Sequence, residues 1–200
     1  METIRVYTAI TGSFEPVRHD IDVMTRYSRF VSPRLNAKIY KILPHLYFYD
    51  DITIWLDGNI RFAPETNIRQ FVDDFLGTYD IGVYRHFIRN CAYQEAMACK
   101  NMGLDDPQVI IEQVDYYRHH DFPEEWGLAE CGVIVRRNNT NVRIFNERWW
   151  AQVCRFSSRD QISFPFVWWT REESINIKLN DGNVRTDKRF IYTQRQSSKA

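Results

Sequence analysis

The stretch Asp51-Ile52-Thr53-Ile54-Trp55-Leu56 constrains this chain more than any other. It is β-branched and almost continuously apolar, the pattern of a strand covered on both faces, and it breaks off at Asp57-Gly58-Asn59. A strand buried on both sides needs packed layers above and below it, so a central sheet flanked by helices is expected.

The rest of the chain alternates between strand and helix signals. Ile4 to Ile10 reads as a strand that stops at the turn Thr11-Gly12-Ser13, and Ile21 to Thr25 as a second, short one. Ser32-Pro33 offers a helix start, and Leu35, Ile39, Ile42 and Leu43 recur at helical spacing until Pro44 closes the helix. Helices are predicted over Glu65 to Leu76, Cys91 to Met102, Pro107 to His119, Thr140 to about Val153 and Asp160 to Trp169. Strands are predicted at Tyr79 to Tyr84 and Cys131 to Arg136. This order predicts an α/β fold: a single Rossmann-like domain over residues 1–196 with a mostly parallel central sheet, followed by a polar tail, Ser197 to Ala200. Ligands of such folds bind beyond the carboxyl ends of the strands.

Charge excludes some classes of function. Lys plus Arg and Asp plus Glu both number 26, so the chain has no long-range attraction for nucleic acid or an anionic membrane. No run approaches the roughly 18 apolar residues of a membrane span. Met-Glu-Thr-Ile-Arg at the start lacks the apolar stretch of a signal peptide, which predicts a cytoplasmic chain or an excised domain that meets a membrane-bound glycan only through a partner. Cys91, Cys99, Cys131 and Cys154 form no CxxC pair and read as reduced, mostly buried thiols. Oligomeric state is not legible.

Several groups could carry chemistry. Asp57 and Asn59, two apart at a strand end with Gly58 between them, could hold a divalent ion that bridges a diphosphate, or form an ordinary Asp-Gly turn. Arg34 and Lys38, four apart on one helix, could face a diphosphate together or lie on a solvated face. Asp160, in Arg159-Asp160-Gln161, could orient sugar hydroxyls or act as a general base, or cap a helix. Trp149, Trp150, Trp168 and Trp169 fit a core better than a sugar platform.

The blocks YTAITGSF, PRLNAKIYKILPHLYF, TIWLDGNI, YRHFIRNCAYQEA and RFSSRDQISFPFVWW occur in order over about Tyr7 to Trp168. Together they resemble the family catalogued as domain of unknown function 616, which includes plant proteins implicated in making mucilage polysaccharide and is regarded as glycosyltransferase-like with a GT-A fold. The segment between Gly12 and Pro33 is shorter than is typical of that family. The resemblance implies a nucleotide-sugar donor, a glycan or other hydroxyl acceptor, and Mn²⁺ or Mg²⁺ at Asp57 and Asn59. It further implies that Thr8, Ala9 and Thr11 line the nucleotide pocket, and that Arg34, Lys38, Asp57, Gly58 and Asn59 meet the diphosphate. Gly132 would floor the sugar site, His86 would sit by a phosphate or acceptor, and Arg159, Asp160 and Gln161 would face the sugars. Asn59 in place of a second carboxylate, and the lack of any histidine after His120, weaken the expected metal site. An inverting reaction needs a base, for which Asp160 and Glu130 are the candidates; for a retaining one no single nucleophile stands out. Two other readings stay open: a hydrolase using the same carboxylates, and a non-catalytic glycan- or nucleotide-binding domain.

Overall fold

A computed structural model describes residues 1–12, 18–170 and 174–194. Ser13 of the first predicted turn and the tail Ser197 to Ala200 lie outside the described residues.

The elements in chain order are β1 (Ile4–Ala9), β2 (Asp22–Met24), α1 (Pro33–Ile42), β3 (Ile52–Leu56), β4 (Ile60–Phe62), α2 (Ile68–Phe75), β5 (Ile81–Arg85), α3 (Ala92–Asn101), α4 (Pro107–His119), β6 (Ala129–Arg137), α5 (Thr140–Arg155), α6 (Asp160–Thr170), β7 (Ile177–Asn180) and β8 (Phe190–Tyr192). The central sheet runs β2-β1-β3-β6-β5-β7. The pairs β1–β2, β1–β3 and β5–β7 are parallel, while β6 runs against both β3 and β5. The mostly parallel α/β sheet expected from the alternation is therefore present, with one reversed strand at its centre. That reversal places the start of β6 beside the ends of β3 and β5.

All five residues of β3 are buried, as its apolar run predicts. Trp55 joins a cluster with Ile39, Tyr40, Phe145, Trp149 and Phe164 from α1, α5 and α6. Ile52, Ile54 and Leu56 point the other way, into Phe71, Val72 and Phe75 of α2 and Phe190 of β8. Burying each such large side chain contributes roughly 1.5–3 kcal/mol, so two opposed faces hold this strand in register. A third cluster, between α3, α4 and α6, contains Ala96, Ile110, Tyr117 and Phe166. Trp149 is fully buried, Trp150 and Trp168 pack against the first cluster and Trp169 against the third, as the core reading of these residues anticipates. Cys91, Cys99 and Cys131 are buried, Cys154 is exposed, and all four thiols are free.

Two departures from the predicted elements have local causes. Helix α2 begins at Ile68, later than Glu65, because Asn67 caps it by accepting from Gln70 N at 3.1 Å. Thr66 is turned away, its hydroxyl donating to Arg189 O at 3.0 Å. The strands β4, β7 and β8 have three, four and three residues, too short for alternation to mark them.

Candidate active site

The carboxyl ends of β1, β3 and β5 open on the same edge of the sheet as the start of β6. Asp57 follows directly on β3, its N–H donating to Gly132 O at 2.8 Å, and the turn closes when Ile60 N donates back to Asp57 O at 2.8 Å. Beneath the turn lies the buried guanidinium of Arg18, which donates to Ile60 O at 2.6 Å and Gly58 O at 3.4 Å. The DGN segment is thus a turn whose backbone is fixed from both sides.

The Asp57 side chain is part of a charged network. Its Oδ1 accepts from Trp55 Nε1 at 2.8 Å and from Lys41 Nζ at 3.2 Å. Its Oδ2 is on the side of Gly132, where a β-carbon would come within 3.8 Å of it and within 3.1 Å of Ile60 Cδ1. Gly132 therefore keeps the floor beside Asp57 low.

Asp160, in the first turn of α6, is 4% exposed and sits between two ammonium groups. Lys38 Nζ lies 2.7 Å from its Oδ1, and Lys41 Nζ lies 2.7 Å from its Oδ2. Burial alone would raise the Asp160 carboxyl, but the charges of Lys38 and Lys41 outweigh it and hold the group far below the usual carboxylate range. Burial pushes Lys38 down to about 8 against the pull of Asp160. Burial lowers Lys41 too, but Asp160 and Asp57 together outweigh it and hold the ammonium above the ordinary lysine value. Asp160 is an ion-paired carboxylate, and a helix cap describes its side chain poorly. Its carbonyl is held too, accepting from Trp149 Nε1 at 3.1 Å.

The approach to Asp160 is built by a second carboxylate. Asp105 accepts from Ser158 N at 2.8 Å, Ser158 Oγ at 2.6 Å and Ser157 Oγ at 3.1 Å, which orders the chain ahead of α6. The exposed Arg34 donates to the adjoining Leu104 O at 2.7 Å. Arg34 and Lys38 share a helix but part company: Lys38 enters the site and Arg34 ties α1 to the loop before α4. Lys41, one turn beyond Lys38, is the cation that joins Asp57 to Asp160. Its backbone is anchored by the buried Arg136, which donates to the carbonyls of Lys41 and Ile42 at the end of α1.

Glu130, at the start of β6, is 7% exposed. Its Oε1 accepts from Arg185 Nη1 at 2.8 Å, while its buried Oε2 has no hydrogen-bond partner among the described residues. Burial raises this carboxyl; Arg185 opposes the shift, Asp57 adds to it and Lys41 opposes it.

The remaining sequence candidates are placed as follows. Thr8 is fully buried with no partner for Oγ1 among the described residues, Ala9 is buried in the first core cluster, and the Thr11 hydroxyl donates to Pro33 O at 2.5 Å. Arg159 carries its charge beside Asp160, Cys99 and Glu95. Gln161 donates to Ala129 O at 3.4 Å, next to Glu130. The Nδ1 of His86 accepts from Ile88 N and Arg89 N at 3.3 and 3.1 Å, which puts the proton of the neutral ring on Nε2, 3.8 Å from Glu95 Oε2. Burial lowers the His86 pKa. His86 braces the loop after β5.

The metal pair read from Asp57 and Asn59 does not assemble. The Asn59 amide is turned to the chain after β8 and donates to Thr193 O at 3.1 Å. One oxygen of Asp57 already receives an ammonium and an indole N–H. Among the described residues no three His, Cys, Asp or Glu side chains cluster as metal ligands. This donor set does not fit a divalent ion held by the protein. No helix among the described residues is long and apolar enough to cross a membrane.

Two site residues escape sequence reasoning. Lys41 is three residues from Lys38 and so on the same helix face, a signal the sequence does carry. Arg185 reaches Glu130 from 55 residues away, and no local pattern marks it.

A crystal structure of apo mouse xyloside xylosyltransferase 1 is similar at 14% identity and a TM-score of 0.43, over 80% of this chain and 63% of that one. The chain is 31% identical over 145 residues to a protein from Arabidopsis thaliana described as probable hexosyltransferase MUCI70. That match covers 67% of this chain and 25% of the plant protein, so the chain spans about a quarter of that relative's length. A family model described as TOD1/MUCI70, glycosyltransferase-like domain, matches residues 21–195, the span that holds Lys38, Lys41, Asp57, Glu130, Asp160 and Arg185, and the chain belongs to that family.

Proposed function

We propose that this chain transfers a sugar from a nucleotide-diphosphate donor to a hydroxyl of a glycan. The observation that carries the reading is the buried network Lys38–Asp160–Lys41–Asp57 at the carboxyl edge of the sheet, with Glu130 facing it. Lys38, Lys41, Arg159 and Arg185 set four cations against the carboxylates of Asp57, Glu130 and Asp160, which gives the crevice a positive field suited to a diphosphate. Preorganised charge of this kind stabilises a departing diphosphate without reorganisation during the reaction. The Asp57 side chain is 34% exposed and marks the mouth of the crevice.

In this reading Asp160 is not the base. A carboxylate held ionised by two ammonium groups has little tendency to take a proton, and its work is to fix Lys38 and Lys41 and accept from sugar hydroxyls. Glu130 is the base: its Oε2, without a hydrogen-bond partner among the described residues, takes the proton of the acceptor hydroxyl as the new glycosidic bond forms and the bond from the anomeric carbon to the diphosphate breaks. No step runs through a metal, because the lysines offset the charge that Mn²⁺ or Mg²⁺ was expected to offset. The family and the plant hexosyltransferase relative support the reaction class.

The test is a thermal-shift panel of nucleoside diphosphates and nucleotide sugars, run in EDTA and again with Mn²⁺ or Mg²⁺. The reading expects a rise with one nucleotide family that persists in EDTA and is lost in Lys41→Met. Folded protein that shows no rise with any nucleotide at millimolar concentration refutes it.

A further inference from the structure

The exposed Arg185 is held from two sides. Its guanidinium carbon lies 4.7 Å from the ring centroid of Phe87 and 4.9 Å from that of Tyr192, so two aromatic rings from distant parts of the chain flank it. Each wall has its own anchor. Phe87 follows β5 in the loop braced by His86, and that loop is secured again where Arg89 Nε meets the buried Glu95 at 2.6 Å. Tyr192 is in β8, registered opposite Ile60. The segment bearing Arg185 is tied down at Asn183, whose Oδ1 accepts from Arg185 N at 2.9 Å, and at Asp187, which accepts from Tyr84 Oη at 2.5 Å. A planar guanidinium against aromatic rings loses rotational freedom and presents its N–H groups in a fixed direction. Here that direction is Glu130 Oε1, at 2.8 Å.

We propose that Arg185 is a positioning residue for Glu130: clamped by Phe87 and Tyr192, it fixes one carboxylate oxygen and turns the other toward the acceptor hydroxyl. This rests on Glu130 being the acceptor-side base. The groups whose charges act on Glu130 are Arg185, Asp57 and Lys41, and of these Arg185 opposes its burial most strongly. Removing Arg185 therefore leaves Glu130 to protonate at higher pH, and the enzyme loses its base from the acid side first.

The experiment follows the Glu130 carboxyl by carbon-13 NMR in the full chain labelled at glutamate, with the resonance identified by its absence in Glu130→Gln. Arg185→Gln is expected to move the titration midpoint to higher pH, and Arg185→Lys to return it most of the way. Should Arg185→Gln fail to fold, Phe87→Leu, at an exposed ring on one side of the clamp, is expected to move the midpoint in the same direction. An unmoved midpoint overturns the proposal. In transfer assays, Arg185→Gln is expected to shift the acid limb of the rate profile upward with recovery at high pH. A loss of rate equal at every pH means that Arg185 acts on the structure or on the diphosphate and not through Glu130, and overturns it as well. The titration needs no substrate, so a chain that binds no nucleotide is told apart from one in which Arg185 does not act on Glu130.

Discussion

Asp160 and Lys41, from the last and first helices of the fold, meet at 2.7 Å between side chains that are each 6% exposed. With Lys38 on the other carboxylate oxygen, the pair joins α6 to α1 across the sheet edge. Removing one partner from such a buried pair leaves uncompensated charge, which costs far more than the intact pair contributes.

Asp160→Asn is accordingly expected to lower unfolding stability by about 3–5 kcal/mol in urea titrations. Adding Lys38→Met should recover part of that loss, since it removes one of the stranded cations. A double variant no more stable than the single one counts against the pairing as described.

The same pair sets an acid dependence. The folded Asp160 carboxyl lies below its unfolded value of about 3.9, so its contribution is complete above that value and disappears as pH falls toward the folded one. Stability of the native chain should fall more steeply than that of Asp160→Asn below about pH 5. Thermal melts at stepped pH measure this, and parallel curves would show that the lysines do not hold Asp160 ionised.

Glu130→Gln keeps the shape of the side chain and abolishes the base. The turnover rate should drop by about 10²- to 10⁴-fold. Stabilisation by nucleotide should survive, because Glu130 is assigned to the acceptor and not to the diphosphate. Loss of nucleotide binding together with turnover would reassign Glu130 to the donor side.

Asn59→Ala should leave nucleotide stabilisation intact and cost about 1 kcal/mol through the lost bond to Thr193. Dependence of nucleotide binding on Asn59, read by the same thermal shift, would restore the metal pair that its spacing suggests.

Two glycines should respond differently to alanine. At Gly82 a β-carbon would come within 2.8 Å of the backbone oxygen of Phe75, which cannot yield without moving α2 away from the sheet. At Gly132 the nearest atom is the end of the Ile60 side chain, at 3.1 Å, which can give. Gly82→Ala should therefore be the more destabilising in urea, while Gly132→Ala costs about 1–3 kcal/mol and weakens nucleotide binding beside Asp57.

Local pattern is what a sequence carries well. The apolar run of β3 and the Pro33 and Pro107 entries to α1 and α4 mark their elements, because propensity and periodicity act within a few residues; the capping hydroxyl expected of Ser32 makes no side-chain bond, and Pro33 alone marks that start. Asp57 was legible for the same reason, as charge placed where an apolar strand stops.

The tertiary structure decided what each charge meets. Arg34 and Lys38 carry like charges on one helix, yet only Lys38 faces Asp160, because the fold brings the start of α6 to Lys38 and the Leu104 carbonyl to Arg34. Asn59 matched a ligand spacing, but pairing of β4 with β8 carried its amide to Thr193. Arg185 became part of the site only when β8 and the loop after β5 closed on it. Periodicity determined the helices and the longer strands and the apolar faces they bury; the pairing of distant charges depended on the balance of desolvation and Coulomb energy in the folded chain, a balance that exists only once the layers are packed.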